Sequence, residues 1–244
     1  MGRAHEVRKV AMLKTSLMKS KIYSRFGKEI YMAAKTGGPD IDTNLSLKKI
    51  IEKAKAAQVP SDVIKRNIDK AKGGGGEDYF PVRYEGFGPG GSTIIVEAMT
   101  DNVNRTFGEV RSCFTKTGGK LGVAGSVIHG YRYVSLFVFS GISEDETLEA
   151  LIGAEVEVED LQSDEDVITV IASSTQLDLI KETLLGVNPE IEIFEDKVTY
   201  FPNETVELEE DDYPKFQRFM QMTDELYDVQ EVFHNIQNIA EESE

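Results

Sequence analysis

The chain has 244 residues, 40% of them hydrophobic and 29% charged, which is enough apolar content to bury a sizeable core and excludes a disordered chain. A single cysteine, Cys113, excludes an internal disulfide, and no apolar run approaches the roughly 20 residues needed to cross a bilayer. The net charge of −16 is unevenly spread: residues 1–72 hold 17 Lys+Arg against 7 Asp+Glu (+10), and the remaining 172 hold 10 against 36 (−26).

A basic segment joined to an acidic body is the pattern of a polyanion-binding arm. The first residues lack the apolar core of an export signal, so a cytoplasmic location is expected. "KSKIYSRFGKEIYMAAKTGGP" (19–39) reads as a helix stopped by Gly37, Gly38 and Pro39. Ile22, Phe26, Ile30 and Ala33 recur at helical spacing and form an apolar stripe. Lys14, Lys21, Arg25, Lys28 and Lys35 fall within about 80° of each other on the opposite side, a face of one sign with no acid. With Arg3, Arg8 and Lys9 ahead of it, this stripe is the candidate phosphate-binding surface.

Two further helices follow. "NLSLKKIIEKAKAAQ" packs through Leu47, Ile50, Ile51 and Ala54, and "VPSDVIKRNIDKAK" through Val63, Ile64, Ile68 and Ala71. The run "GGGG" at 73–76 reads as a flexible linker. It follows a helix and no Lys-Ser or Lys-Thr comes after it, so the pattern of a phosphate loop is missing. Residues 1–76 therefore read as a basic helical domain with its linker.

Beyond the linker the periodicity changes. "RYEGFGPGGSTIIVEAM" is strand, turn, strand. Residues 103–117 are helical, with Phe107, Val110 and Phe114 aligned and a Gly118-Gly119 stop. From Val134 the order is strand 134–139, helix 144–152, strand 155–160, strand 166–172, helix 174–185 and strand 191–197, a ferredoxin-like βαββαβ unit. The tail adds strand "TVEL" (205–208), helix "DYPKFQRFMQMTDEL" and strand "VQEVFHN". Residues 80–131 lack the last elements of such a unit, so the tail is expected to complete it. That makes 77–131 with 204–244 a discontinuous α/β domain, and 132–203 an inserted ferredoxin-like domain. The fold class is α+β: a three-helix module and two ferredoxin-like units, one inserted in the other.

The stretch "AMTDNVNRTFGEVRSCF" (98–114) groups acid, amide, base and hydroxyl at the end of a buried strand. Asp101, Asn102 or Asn104 can cap the following helix, with Thr106 sharing the role. Arg105 sits in the first turn, where the helix dipole disfavours a cation, so its side chain is expected to reach elsewhere. The histidines (His5, His129, His234) are distant in sequence, and no metal-ligand spacing appears. The stretch reads as a structural hinge, with Arg105 and Arg111 as secondary surface contacts. Cys113 reads as a small buried hydrophobe.

"YEGFGPGG" (84–91), "TDNVNRTFGEVRSCFTKTGGKLGVAGSV" (100–127) and "DVQEVFHN" (228–235) resemble the signature segments of the YebC family, and residues 20–72 fit it too. That family includes the bacterial YebC, YeeN and PmpR proteins and the mitochondrial translational activator of cytochrome oxidase. The resemblance implies a cytoplasmic regulator of gene expression, either a DNA-binding transcriptional regulator or a ribosome-associated factor that relieves stalled translation. Its expected partners are DNA and/or ribosomal RNA, with no membrane and no small-molecule substrate. No catalytic, cofactor or metal site is expected; a nuclease or a protein scaffold is the reading from a different class. The sequence holds no zinc ligands or basic zipper that would read base edges.

Overall fold

The computed structural model describes residues 19–73 and 78–238. They form two compact units: residues 130–203, and the flanking residues 19–129 and 204–238 together. The fold is α+β, with three helices followed by two four-stranded antiparallel sheets, each carrying two helices.

In the flanking unit, α1 (Lys19–Gly37), α2 (Leu45–Ala56) and α3 (Ser61–Lys72) share a core of Ile30, Ala34, Leu47, Ile51, Ala54, Ile64 and Ile68. Ile22, Phe26 and Ala33 pack at its margin, so the apolar stripe of α1 faces inward. Gly27 allows α1 and α3 to approach: a Cβ there would meet Asn67 Nδ2 at 2.9 Å. Gly38, at φ +93°, ends α1 in the left-handed conformation that glycine adopts without strain. Asn44 caps α2 by accepting from Leu47 N and also donates to the Ala33 and Gly38 carbonyls, tying the α1 exit to the next helix.

The sheet of this unit has the order β3-β1-β2-β8, from β1 (Phe80–Phe87), β2 (Thr93–Thr100), β3 (Lys120–Leu121) and the late β8 (Val229–His234). The β1–β2 hairpin lies in the centre, and β8 pairs antiparallel with β2 in a register that places Val96 opposite Val232. Helices α4 (Val103–Lys116) and α7 (Tyr213–Glu225) cover one face over Ile94, Val96, Val110, Phe114, Phe216 and Phe219. The tail thus supplies an edge strand and a helix to a sheet begun more than 100 residues earlier. "TVEL" does not form the expected strand: only Val206 bridges, in parallel, to Ile236, while Leu208 drops into the core. Phe107 also departs from expectation, being 44% exposed beside Tyr84, while Thr106, Val110, Cys113 and Phe114 form the buried face of α4.

The unit at 130–203 contains β4 (Tyr131–Ser140), α5 (Glu144–Gly153), β5 (Val158–Asp164), β6 (Val167–Ser173), α6 (Leu177–Val187) and β7 (Glu192–Pro202). Its strand order β5-β6-β4-β7 is the interleaved ferredoxin-like one, with Phe137, Phe139, Leu151, Ile168, Val170, Ile180 and Leu184 between sheet and helices. Ser143 and Glu146 form a full capping box at the start of α5. The strand expected at 155–160 begins later, because Glu155 adopts φ +57° and continues the turn that ends α5. Among the described residues, no helix is long and apolar enough to cross a membrane.

Candidate nucleic-acid interface

The basic face of α1 is engaged by acids of its own unit, with Lys28 buried and Lys21, Arg25 and Lys35 still partly exposed. Lys21 donates to Asp224 Oδ1 at 2.9 Å and to the Thr223 carbonyl at 3.3 Å. Arg25 pairs with Glu29 within α1 and with Glu231 on β8, and reaches the Gln230 carbonyl. Lys28 is 4% exposed; its ammonium donates to Asp228 Oδ1 at 2.8 Å and to the carbonyls of Met99 and Tyr227. The Tyr227 and Tyr79 rings lie 4.5 and 5.3 Å from the same nitrogen. Lys35 pairs with Asp78, just ahead of β1. These four candidate side chains thus share one face of α1, and each is paired with a carboxylate of its own unit. Helical periodicity places them together on one face, and that face meets Asp224 of α7, Glu231 of β8, and Asp228 and Asp78 just ahead of β8 and β1. Arg3, Arg8, Lys9 and Lys14 lie outside the described residues.

The polar hinge after β2 is part of the same assembly. Asp228 is buried and accepts from Lys28 on one oxygen and from Thr100, Thr106 and Arg105 on the other, at 2.6–2.9 Å. Burial alone raises a carboxylate pKa, but the hydrogen bonds from Lys28, Arg105, Thr106 and Thr100 outweigh it and hold Asp228 well below the usual range. Arg105 also binds Asp101, and the hydrogen bonds to Asp228 and Asp101 raise its pKa further. It stays at the start of α4, where two carboxylates of its own unit, Asp101 and Asp228, offset the unfavourable helix dipole. Arg111 is exposed on α4.

Asn102 is the residue that caps α4, its Oδ1 accepting from Arg105 N at 3.1 Å. Its own backbone N–H donates to Thr100 Oγ1, which in turn donates to Asp228, linking the cap to the carboxylate. Asn102→Ala is expected to lower stability by about 1 kcal/mol, the usual worth of an N-cap side chain. Asp101→Ala, which removes only the exposed Arg105 pair, should cost less in urea unfolding. Equal losses would mean that the cap is not the main contribution. Cys113 is 1% exposed, and burial pushes its thiol pKa up, as suits a packing residue.

Outside the docked face, the helical module keeps a basic surface. Helices α2 and α3 (residues 45–72) carry eight cations (Lys48, Lys49, Lys53, Lys55, Lys65, Arg66, Lys70 and Lys72) against three acids, all of them exposed. Lys72 pairs with Asp69 in the same helix. Reading α1 alone missed this surface; the signal was present in the charge count of 1–72, which does not depend on α1.

Comparison with known proteins adds the following. Residues 3–74 match the family model described as the TACO1/YebC protein N-terminal domain, and residues 79–236 match the TACO1/YebC second and third domain. A protein of Alteromonas mediterranea named "Probable transcriptional regulatory protein" is 49% identical over 235 residues, covering 96% of this chain and 98% of that protein. A protein of Vibrio campbellii with the same name is 50% identical over 235 residues, covering 96% and 99%. The crystal structure of a conserved hypothetical protein from Aquifex aeolicus superposes with a TM-score of 0.75 at 35% identity, covering 90% of each chain.

Proposed function

The chain belongs to the TACO1/YebC family, and on that premise we propose that it is a nucleic-acid-binding regulator of gene expression that grips phosphates through the exposed cations of α2 and α3. The observation that carries this reading is the excess of eight exposed cations over three acids on these two helices, in a chain whose net charge is −16. The acidic remainder repels a polyanion, so binding is one-sided and confined to the module. The relatives named as transcriptional regulators support the regulatory role.

Phosphate contacts position a protein on nucleic acid without reading its sequence. Such a grip serves structured ribosomal RNA as well as duplex DNA. Sedimentation of cell extract with and without ribonuclease separates the two: co-migration with ribosomes that ribonuclease abolishes favours RNA.

The test of the surface is Lys48→Glu with Lys55→Glu and Lys65→Glu. These exposed changes should each alter stability by less than about 0.5 kcal/mol. Affinity for a mixed-sequence duplex should fall by on the order of tenfold or more, and the salt dependence should flatten by about 0.9 in slope for each duplex phosphate that the protein no longer neutralises. Unchanged affinity with an unchanged salt slope would remove α2 and α3 from the interface.

A further inference from the structure

The hydrophobic core of the three helices and that of the β1–β2–β8 sheet are separate clusters, although both belong to one compact unit. What joins α1 to the sheet and α7 is chiefly polar: Lys21–Asp224, Arg25–Glu231, Lys28–Asp228 and Lys35–Asp78. The Tyr31–Tyr79 edge contact adds one aromatic pair. An interface of this kind gains little from apolar burial, and its outer pairs are screened by salt. Lys21, Arg25 and Lys35 retain 23%, 37% and 34% of their side-chain exposure, so three of the four pairs sit where water and ions compete.

Resting on the nucleic-acid reading above, we propose that the basic face of α1 is a second phosphate-binding surface, held covered by Asp224, Glu231, Asp228 and Asp78, which act as internal substitutes for phosphates. Each of these carboxylates presents a monovalent oxyanion to a cation of α1, which is the chemistry a phosphodiester offers. When the module engages a nucleic acid through α2 and α3, the backbone is brought close to α1 at high effective concentration. Exchange of carboxylate for phosphate then conserves the number of charge pairs, and release of counterions from the nucleic acid favours it.

Asp228 is built to survive the exchange. After Lys28 leaves, it still accepts from Arg105, Thr100 and Thr106, so no buried carboxylate is orphaned. Lys28 therefore acts as a latch in a socket of one carboxylate, two carbonyls and two tyrosine rings. The segment joining α3 to β1 carries four consecutive glycines, Gly73 to Gly76. The covered face makes weak binders poor at opening the module, so dense phosphate arrays such as folded RNA or duplex DNA are favoured over isolated anions.

The experiment uses the full chain. Affinity for a mixed-sequence RNA hairpin and for a duplex DNA is measured by fluorescence anisotropy for three proteins. They are the unaltered chain, Asp224→Asn with Glu231→Gln, and the control Glu207→Gln with Glu210→Gln, which makes the same charge change at two exposed acids of the tail. Hydrogen exchange of residues 21–35 and 228–234 is followed with and without the nucleic acid.

The expected result is that the uncovering pair binds severalfold more tightly than the control, and that nucleic acid speeds exchange at 228–234 in the unaltered chain. If all three proteins bind equally and exchange at 228–234 is unchanged, α1 is a fixed docking face; the masking proposal falls while the nucleic-acid reading stands. If none of the three binds either probe, the nucleic-acid reading falls, and the masking proposal with it. A preference of the uncovering pair for RNA or for DNA supports the proposal and identifies which phosphate array the covered face serves.

Discussion

Asp228→Ala is expected to lower the unfolding free energy by about 3–5 kcal/mol, the range seen when one partner of a buried, hydrogen-bonded charge network is removed. Asp228 joins three elements: Lys28 of α1, Thr100 at the end of β2, and Arg105 with Thr106 in the first turn of α4. Even if Lys28 swings out to water, Thr100 and Thr106, both fully buried, lose their charged acceptor. Lys28→Met is the informative companion. It leaves Asp228 with three donors, so it should cost clearly less than Asp228→Ala in urea denaturation. If the two changes cost the same, Arg105 and the two threonines contribute nothing, and the network reduces to one ion pair. The depressed pKa of Asp228 has a signed consequence. Its contribution is complete above the ordinary carboxylate range and is lost only as pH falls through that range toward the depressed folded value.

Phe219→Ala should have an effect of similar size, about 3–5 kcal/mol, the cost of removing a fully buried aromatic side chain and leaving a cavity. Phe219 is wholly buried on α7 and meets the Phe114 ring of α4 at 4.7 Å. These rings come from segments separated by the entire 130–203 unit, so their packing closes a discontinuous core. Against a typical total of about 5–15 kcal/mol, the loss should bring the flanking unit close to unfolding while the 130–203 unit, with its own core, melts where it did before. Two calorimetric transitions, of which one moves, are the expected observation. A single transition shifted as a whole would show that the two units unfold together.

Much of this architecture was legible in the residues. Hydrophobic periods of helix and strand lengths, the Gly-Gly stops after α1 and α4, and the alternation from Val134 onward identified nearly all the elements, because each depends on local chemistry. The misplacements have local causes too. "TVEL" has the composition of a strand but finds only one bridging partner, at Ile236. Phe107 has the spacing of a core residue but is exposed, while Thr106 takes the inward place and donates to Asp228. Asp101, Asn102 and Asn104 all have side chains able to cap α4; in the fold Asn102 takes that position, while Asp101 pairs with Arg105.

By itself, the sequence determined the α+β class, the family, and the partition of charge into a basic first segment and an acidic remainder. It also determined that Lys21, Arg25, Lys28 and Lys35 share one side of a helix, since 100° per residue is a property of the backbone. Only the tertiary structure decided what that side meets. Lys28 and Asp228 are 200 residues apart, and no periodicity connects them. Burying a lysine is costly unless a carboxylate and further acceptors converge on it. That convergence exists only once β8, the end of β2 and the start of α4 have been brought together by the folding of a discontinuous unit.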